Sequence, residues 1–139
     1  MIHFRTDIAN VDWQAAAEIF RLAPLGTRDP EKLARAFQHS FVVVCVYDDE
    51  KLIGLARALC DGEYQAAIYD VVLLPEYQEK GIGKTLMETL CAQLPVENII
   101  LYAVPGREAF YRKCGFQMML TAMAILTPAM SDPQKGYVR

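Results

Sequence analysis

Apolar and polar positions alternate along the chain with two different periods, which separate helical from extended segments. Residues 9–23 and 30–40 carry apolar side chains at helical spacing, with Asn10 or Asp12 as the cap of the first helix and Pro30 at the start of the second. The runs "FVVVCVYD", "LIGLARALC" and "QAAIYDVVLL" are apolar and rich in β-branched residues, and short polar turns join them. They predict three antiparallel strands in a meander, preceded by a short strand at "HFRT".

Helical spacing returns at Gly81, after the third strand of the meander. One face of this helix is apolar and carries Ile82, Leu86, Leu90 and Leu94. Farther on, "NIILYAV" predicts a strand, "GREAFYRKCG" a short helix that ends at Gly115, and "FQMMLTAMAILT" one or two strands. The predicted order is β-α-α-β-β-β-α-β-α-β(-β), which is typical of an α+β (mixed α/β) domain with helices flanking a mixed, mostly antiparallel sheet. We expect a single domain over residues 1–127 and a loosely held C-terminal tail over residues 128–139.

The composition argues against several classes of function. The chain has 139 residues, a net charge of -3 and a pI near 5.4, so it lacks the positive charge of a nucleic-acid-binding domain. No basic run is long enough to favour a membrane surface. The four cysteines have no CxxC spacing and only two histidines accompany them, so we expect no metal site. The N-terminus "MIHFRTDIANVDW" has no apolar signal segment, and the sequence therefore predicts a cytoplasmic protein.

The stretch "YQEKGIGKTL" admits several interpretations. Its end resembles a nucleotide-binding P-loop, but the first glycine of that motif would fall at Gln78. A dinucleotide fingerprint would need one more glycine, three residues after Gly83. A tight turn before a surface helix would need the glycines only for their backbone freedom. The spacing of Gln78, Gly81 and Gly83 also fits a cradle for a diphosphate, built from amides at a helix N-terminus and flanked by Lys80 and Lys84.

Two segments in order, "DVVLLPEYQEKGIGKTLMETL" and "AFYRKCGF", resemble the signature segments of the GCN5-related N-acetyltransferase (GNAT) family. Within that family the chain resembles the small aralkylamine (serotonin-type) acetyltransferases. The resemblance implies acetyl-CoA as cosubstrate, with its diphosphate on the glycine turn. Its pantetheine arm would lie along a bulged strand that splays from the next strand. The residues so implied are Val71, Val72 and Leu73 for the arm, and Gln78, Glu79, Lys80, Gly81, Ile82, Gly83, Lys84 and Thr85 for the diphosphate.

The resemblance also implies two catalytic groups. The backbone N–H of Leu73 would hold the thioester oxygen and stabilise the oxyanion. The hydroxyl of Tyr111 would protonate the departing CoA thiolate, and core packing beside Phe110 and Phe116 is the alternative role for this side chain. The chain departs from the family at Val104, where many relatives have an Asn or Asp that contacts the cofactor arm.

Asp70 is the candidate general base. It lies in an otherwise apolar strand, where a carboxyl group needs a reason, although a strand-end acid that bonds a neighbouring loop has the same appearance. Strand alternation places Asp70 on the face opposite Tyr69, unless a bulge re-aims it. A water relay from Asp61, Glu63 or Asp70 stays open as the route by which the amine loses its proton.

The sequence and the resemblance together predict an acetyl-CoA-dependent N-acetyltransferase. It would transfer the acetyl group to a primary amine of a small molecule or peptide by direct attack in a ternary complex. The alternative is a non-catalytic acyl-CoA-binding module that regulates a protein partner. The resemblance also suggests a homodimer formed through the C-terminal strands.

Overall fold

The helices and strands follow the predicted order over most of the chain. The computed structural model describes residues 1–139. Its strands are β1 Ile2–Arg5, β2 Val42–Asp48, β3 Lys51–Cys60, β4 Gln65–Leu73 and β5 Asn98–Ile100. Its α-helices are α1 Trp13–Leu22, α2 Pro30–Gln38, α3 Ile82–Ala92 and α4 Glu108–Lys113. Single turns of 3-10 helix lie at Pro75–Tyr77 and Pro133–Lys135. None of the helices is long and apolar enough to cross a membrane.

The five strands form one sheet in chain order, β1-β2-β3-β4-β5. Every neighbouring pair is antiparallel except β4 and β5, which are parallel. This confirms the predicted mixed, mostly antiparallel sheet. Consecutive buried residues in β2 and β3 show that both faces of the sheet are covered, because neighbouring side chains of a strand point to opposite faces. Helix α1 packs on β3 and β4, and α3 packs on β2 and β3.

The first two helices begin at aspartate caps. The side chain of Asp12 accepts hydrogen bonds from the backbone N–H groups of Gln14 and Ala15, so Asp12 rather than Asn10 caps α1. Asp29 caps α2 in the same way, and Pro30 takes the first helical position, where its missing N–H costs nothing. These local signals explain why both helix starts are readable from the sequence.

The chain divides into two compact units, an N-terminal unit, Met1–Leu101, and a C-terminal unit, Tyr102–Arg139. The N-terminal unit holds the whole sheet and the first three α-helices. The C-terminal unit holds α4, and in it the Tyr137 ring lies edge-on to Tyr102 with ring centroids 6.1 Å apart. A Cβ on Gly136 would stand only 3.1 Å from the ring of Pro105, so this part of the tail lies against the start of its unit. The loosely held tail stays a prediction. The domain limits 1–127 and 128–139 stay a prediction.

The predicted strands after α4 do not form. Residues 116–127 contain turns but no strand, and several of their large apolar side chains are exposed: Met118, Met119, Leu120, Met123 and Ile125. The predicted strand "NIILYAV" is also shortened to the three residues of β5. β-propensity describes how a residue fits a paired, half-buried surface, and it makes no strand where the backbone has no strand to pair with.

Strand β4 contains a bulge at Asp70. Leu55 of β3 pairs with Val72, and Arg57 pairs with Tyr69, so two residues of β4 face a single residue of β3 between these pairs. Asp70 takes up the extra length with a left-handed backbone, φ 57°. This confirms the bulge that the family resemblance implied.

The bulge is followed by a very close approach of β3 to β4 at Gly54. Gly54 pairs with Leu73, and a Cβ at Gly54 would stand 2.8 Å from the carbonyl oxygen of Val72 and 2.9 Å from Cδ1 of Leu73. Only glycine leaves room for the β4 backbone at this point.

We predict that Gly54→Ala destabilises the protein. The added methyl group meets backbone that is fixed by the sheet, so the free energy of unfolding should fall by about 1–3 kcal/mol. Urea denaturation followed by circular dichroism measures the change. An unchanged urea midpoint would show that β3 can move away from Val72 without cost.

Candidate functional site

The predicted diphosphate turn lies between β4 and α3. Gly81 has φ +84° and is the residue before the first helical residue, Ile82. Glu79 also has a left-handed backbone, with φ 62°. A non-glycine residue in this region costs of the order of 1 kcal/mol, so the surrounding structure must hold it there. The turn therefore has a defined conformation that the sequence alone does not favour.

The chemistry of this turn fits an anion. The first N–H groups of α3 have no carbonyl partner inside the helix, and the helix dipole adds positive potential there. Lys80 and Lys84 are exposed on either side. A Cβ on Gly81 would meet no atom within 4 Å, so the main chain is open to a close approach at that residue. The side chain of Thr85 donates to the carbonyl oxygen of Gly81 at 3.3 Å and thereby supports the turn.

Gln78 connects the turn to the end of β4. Its side-chain amide donates to the carbonyl oxygen of Leu73 at 2.8 Å. The hydroxyl of Tyr77 donates to a carboxylate oxygen of Asp48 at 2.7 Å, which ties the turn to β2 as well. The resemblance assigned Gln78 to the cofactor, whereas its amide nitrogen here supports the strand next to the turn.

One edge of β4 has no strand partner along most of its length, and we call it the open edge. Strand β5 pairs with β4 only over Gln65–Ala67, and β4 continues for six more residues to Leu73. The N–H of Leu74 donates to Ile53 of β3 at 2.9 Å. Because successive N–H groups of a strand point to opposite edges, the N–H of Leu73 faces the open edge. Beyond Ala67 this edge of β4 has no strand partner, an arrangement that an extended ligand can use. The splay that the resemblance implied stays a prediction.

Asp70 is held by two arginines. Its Oδ2 accepts from Nε of Arg57 at 2.6 Å, and its Oδ1 accepts from Nη2 of Arg28 at 2.9 Å. The Arg57 guanidinium carbon also lies 5.5 Å from the centroid of the Tyr69 ring. The bulge has therefore turned Asp70 toward the side chains that surround Tyr69, which is the exception to strand alternation considered above.

These contacts set the charge of Asp70. Burial alone would raise the pKa of this carboxyl, because only 10% of the side chain is exposed. The hydrogen bonds and positive charges of Arg28 and Arg57 outweigh burial, and the net effect lowers the pKa below its usual value. Both carboxylate oxygens are engaged, so Asp70 has little tendency to take a proton from an amine.

The sequence reasoning missed both arginines. Arg57 carried a usable signal, since it is a lone charged residue inside the apolar run "LIGLARALC" and thus resembles Asp70 in "AAIYDVVLL". Arg28 lies in the turn "GTRDP", where a charged residue is ordinary and gives no signal.

Asp61 turns the hairpin between β3 and β4. One of its carboxylate oxygens accepts backbone hydrogen bonds from Glu63, Tyr64 and Gln65 at 2.7–3.1 Å. These backbone bonds lower the pKa of Asp61. The contacts explain Asp61 as a turn residue and give no support to its predicted part in a proton relay.

Tyr111 lies on α4, in the C-terminal unit. Its ring packs edge-on against Phe110 and Phe116, with ring centroids 5.1 and 6.1 Å away. Burial, and to a smaller extent the nearby Cys114, raise the pKa of the Tyr111 hydroxyl to about 12, while Arg107 acts in the opposite direction. Tyr111 therefore does pack beside Phe110 and Phe116, as the alternative role requires. Its hydroxyl stays protonated at every pH of ordinary assays.

Comparison with known proteins identifies the family. A model of the acetyltransferase (GNAT) family matches residues 7–116. Serotonin N-acetyltransferase 2, chloroplastic, of Oryza sativa subsp. japonica is 38% identical over 121 residues, which are 82% of this chain and 60% of the relative. GCN5-related N-acetyltransferase 1, chloroplastic, of Arabidopsis thaliana is 37% identical over 103 residues, which are 70% of this chain and 52% of the relative. The chain therefore belongs to the GNAT acetyltransferase family.

Solved structures agree on the fold. A GNAT family protein from Streptococcus pneumoniae TIGR4 superposes with a TM-score of 0.78 at 25% identity, over 92% of this chain and 99% of that one. Glucosamine-6-phosphate N-acetyltransferase from Arabidopsis thaliana has a TM-score of 0.67 at 17% identity, over 91% and 98% of the two chains. This chain spans only about half of the length of the curated relatives it matches, from 52% to 60% in the two named above. Because the names of both include "chloroplastic", the cytoplasmic location stays a prediction.

We predict that Asp70→Asn destabilises the protein in a pH-dependent way. The substitution leaves Arg57 half-buried with a weakened partner, so the free energy of unfolding at neutral pH should fall by about 3 kcal/mol. The folded pKa of Asp70 is lowered, so its contribution is complete above the unfolded value of about 4 and disappears as pH falls through the folded pKa.

Chemical denaturation of both proteins between neutral and acid pH measures this difference. The gap between wild type and Asp70→Asn should narrow as the pH falls below about 4. Glu88→Gln, which neutralises an exposed acid of α3, is the matched control and should unfold as the wild type does. A gap that is constant with pH would contradict the ion-pair account of Asp70.

Proposed function

We propose that this protein is an N-acetyltransferase that uses acetyl-CoA and transfers the acetyl group to a primary amine by direct attack in a ternary complex. The observation that carries the proposal is the open edge of β4, which runs from Ile68 to Leu73 and leads into the glycine turn. The open edge fits an extended polar arm, and the glycine turn that follows it fits a diphosphate. Acetyl-CoA has these two parts in the same order. Membership of the GNAT family supports the same cosubstrate.

The binding residues divide by chemistry. Backbone amides at Gly81, Ile82 and Gly83 would hold the diphosphate, with Lys80 and Lys84 supplying charge at the surface. Val71, Val72 and Leu73 would pair with the amide groups of the pantetheine arm as an added strand does. The thioester of acetyl-CoA supplies the activated acetyl group.

Leu73 is the proposed oxyanion donor. Its N–H faces the open edge, whereas its carbonyl oxygen is already engaged by Gln78. The N–H donor is fixed by the sheet on one side and by the turn on the other, so it needs no reorganisation when negative charge develops on the thioester oxygen. The amine nitrogen forms the new bond to the acetyl carbon, and the bond from that carbon to sulfur breaks.

Tyr111 is the proposed acid. Its hydroxyl donates a proton to the thiolate that leaves, and its raised pKa ensures that the proton is present before the reaction. The proton that the amine nitrogen loses after its attack passes through water and restores the Tyr111 hydroxyl. Apolar surroundings raise the pKa of a thiol too, which favours proton transfer to sulfur. Asp70 is given no proton in this scheme, because its two arginine partners keep it ionised.

The proposed acceptor is a primary amine. The name of the rice relative makes serotonin a reasonable first amine to test. A broad panel of primary amines, with the release of free CoA thiol as the signal, would locate the preferred acceptor.

We predict that Gly81→Asp weakens acetyl-CoA binding. Asp and Asn both tolerate a left-handed backbone and have nearly the same shape, so Gly81→Asn is the matched control. The open space around Gly81 accepts either side chain, but only Asp places a negative charge beside the diphosphate. Calorimetric titration with acetyl-CoA should give at least roughly tenfold weaker binding for Asp than for Asn. Equal affinities of the two variants for acetyl-CoA would show that the diphosphate does not bind at this turn.

We predict that Tyr111→Phe lowers the turnover number by roughly 100-fold while the affinity for acetyl-CoA stays within about twofold. The substitution removes only the hydroxyl and keeps the ring packed between Phe110 and Phe116. Steady-state rates with the best amine and calorimetry with acetyl-CoA measure the two quantities.

Two results would contradict this account of Tyr111 and of the reaction. An unchanged turnover number would exclude Tyr111 as the acid. Tight acetyl-CoA binding by the wild type, with no turnover on any amine, would instead favour the non-catalytic binding module.

A further inference from the structure

The bulge of β4 is surrounded by an excess of positive charge. Arg28 and Arg57 share the single carboxylate of Asp70, so the three side chains have a net charge of +1. The side chain of Arg57 is only 17% exposed and that of Arg28 is 35% exposed. A half-buried positive charge in excess of its partners is poorly solvated and attracts an anion.

The arginines have donors to spare. Arg57 donates a hydrogen bond to Asp70 from Nε, and Arg28 donates one to Asp70 from Nη2. The two terminal nitrogens of Arg57 make no hydrogen bond to the protein, and no buried side-chain nitrogen or oxygen lacks a partner, so these nitrogens reach solvent. The two terminal nitrogens of a guanidinium group present parallel N–H bonds that match the two oxygens of a carboxylate.

The aromatic neighbours hold this arrangement in place. The guanidinium carbon of Arg28 lies 4.3 Å from the centroid of the Phe20 ring, and that of Arg57 lies 5.9 Å from the Phe37 ring and 5.5 Å from the Tyr69 ring. Phe20 and Phe37 are fully buried core residues of α1 and α2. The guanidinium groups therefore lie over aromatic rings, two of which are buried in the core, and this limits their freedom before any ligand binds.

The cluster is also close to the proposed reaction centre. Asp70 precedes Leu73 by three residues in the same strand, which is about 10 Å at most. An acceptor whose amine reaches the acetyl group at Leu73 would extend its other end toward Arg57. An α-amino acid has its amine and carboxylate next to each other and cannot span that distance, whereas a chain of several methylene groups can.

We propose that Arg28 and Arg57 form a carboxylate subsite, so that the preferred acceptor is a small primary amine with a carboxylate at the far end of a short aliphatic chain. This subsite rests on the proposed acetyl transfer for its substrate, but not for its ability to bind an anion. It makes Arg28 and Arg57 specificity-determining residues, with Asp70 as the residue that orients them.

The test compares two acceptors that differ only in the distal group, 6-aminohexanoate and hexylamine. For wild type, kcat/KM measured by CoA thiol release should favour 6-aminohexanoate by at least roughly tenfold. Arg28→Gln and Arg57→Gln should bring the ratio of the two kcat/KM values close to one, mainly by raising KM for 6-aminohexanoate. Arg35→Gln, which removes an exposed arginine of α2, should leave the ratio as in wild type.

A wild-type ratio near one, or a ratio that both variants leave unchanged, would overturn the subsite while the transferase function stands. If Arg57→Gln fails to fold, Arg28→Gln alone still tests the subsite. If no amine is acetylated at all, saturation-transfer NMR of 6-aminohexanoate and hexylamine with the protein and CoA decides the matter. Carboxylate-dependent binding that is lost in Arg28→Gln would support the subsite without the reaction, and no such binding would refute it.

Discussion

The site depends on one extra residue in β4. The bulge at Asp70 shifts the pairing with β3 by one position. The backbone groups of β4 that point toward β3 are therefore those of alternate residues in one set before the bulge and in the other set after it. Before the bulge, Tyr69 pairs with Arg57; after it, the N–H of Leu73 faces the open edge. Removing the extra residue would reverse the direction of every backbone group downstream and point the Leu73 amide at β3. The ion-pair cluster and the proposed oxyanion donor therefore come from the same irregularity.

The open edge exists because β5 is short and pairs with β4 only as far as Ala67. An unpaired strand edge is normally covered or blunted, because exposed N–H and C=O groups attract other strands. Here β4 stays extended past Ala67 although β5 ends at Ile100, and Val72 and Leu73 are still buried by the core. Packing of the faces holds the strand in place where pairing at one edge does not. Such an edge is well suited to a ligand that carries its own amides, since binding then completes the sheet.

The sequence predicted what is decided locally. Aspartate caps, Pro30 at a helix start and the apolar runs of β2 to β4 act within a few residues, and the corresponding elements formed as predicted. The glycine turn was also readable, because its spacing reflects backbone geometry within one loop. The end of β5 and the missing strands in residues 116–127 depend on which segments lie alongside each other, and propensity carries no information on that. The direction of the Asp70 side chain was open for the same reason, since a bulge belongs to a pair of strands.

The acid in the apolar strand attracted notice because a buried carboxyl needs a reason, and its contacts supply a structural one. A buried carboxylate needs either a proton or a cation, and Arg28 and Arg57 supply the cation. The pKa of Asp70 is lowered and that of Tyr111 is raised to about 12, so neither group changes its charge near neutral pH. If the proposed reaction is correct, its pH dependence in that range must come from elsewhere. The acceptor is the natural source, because an ammonium has no lone pair and only its deprotonated fraction can attack.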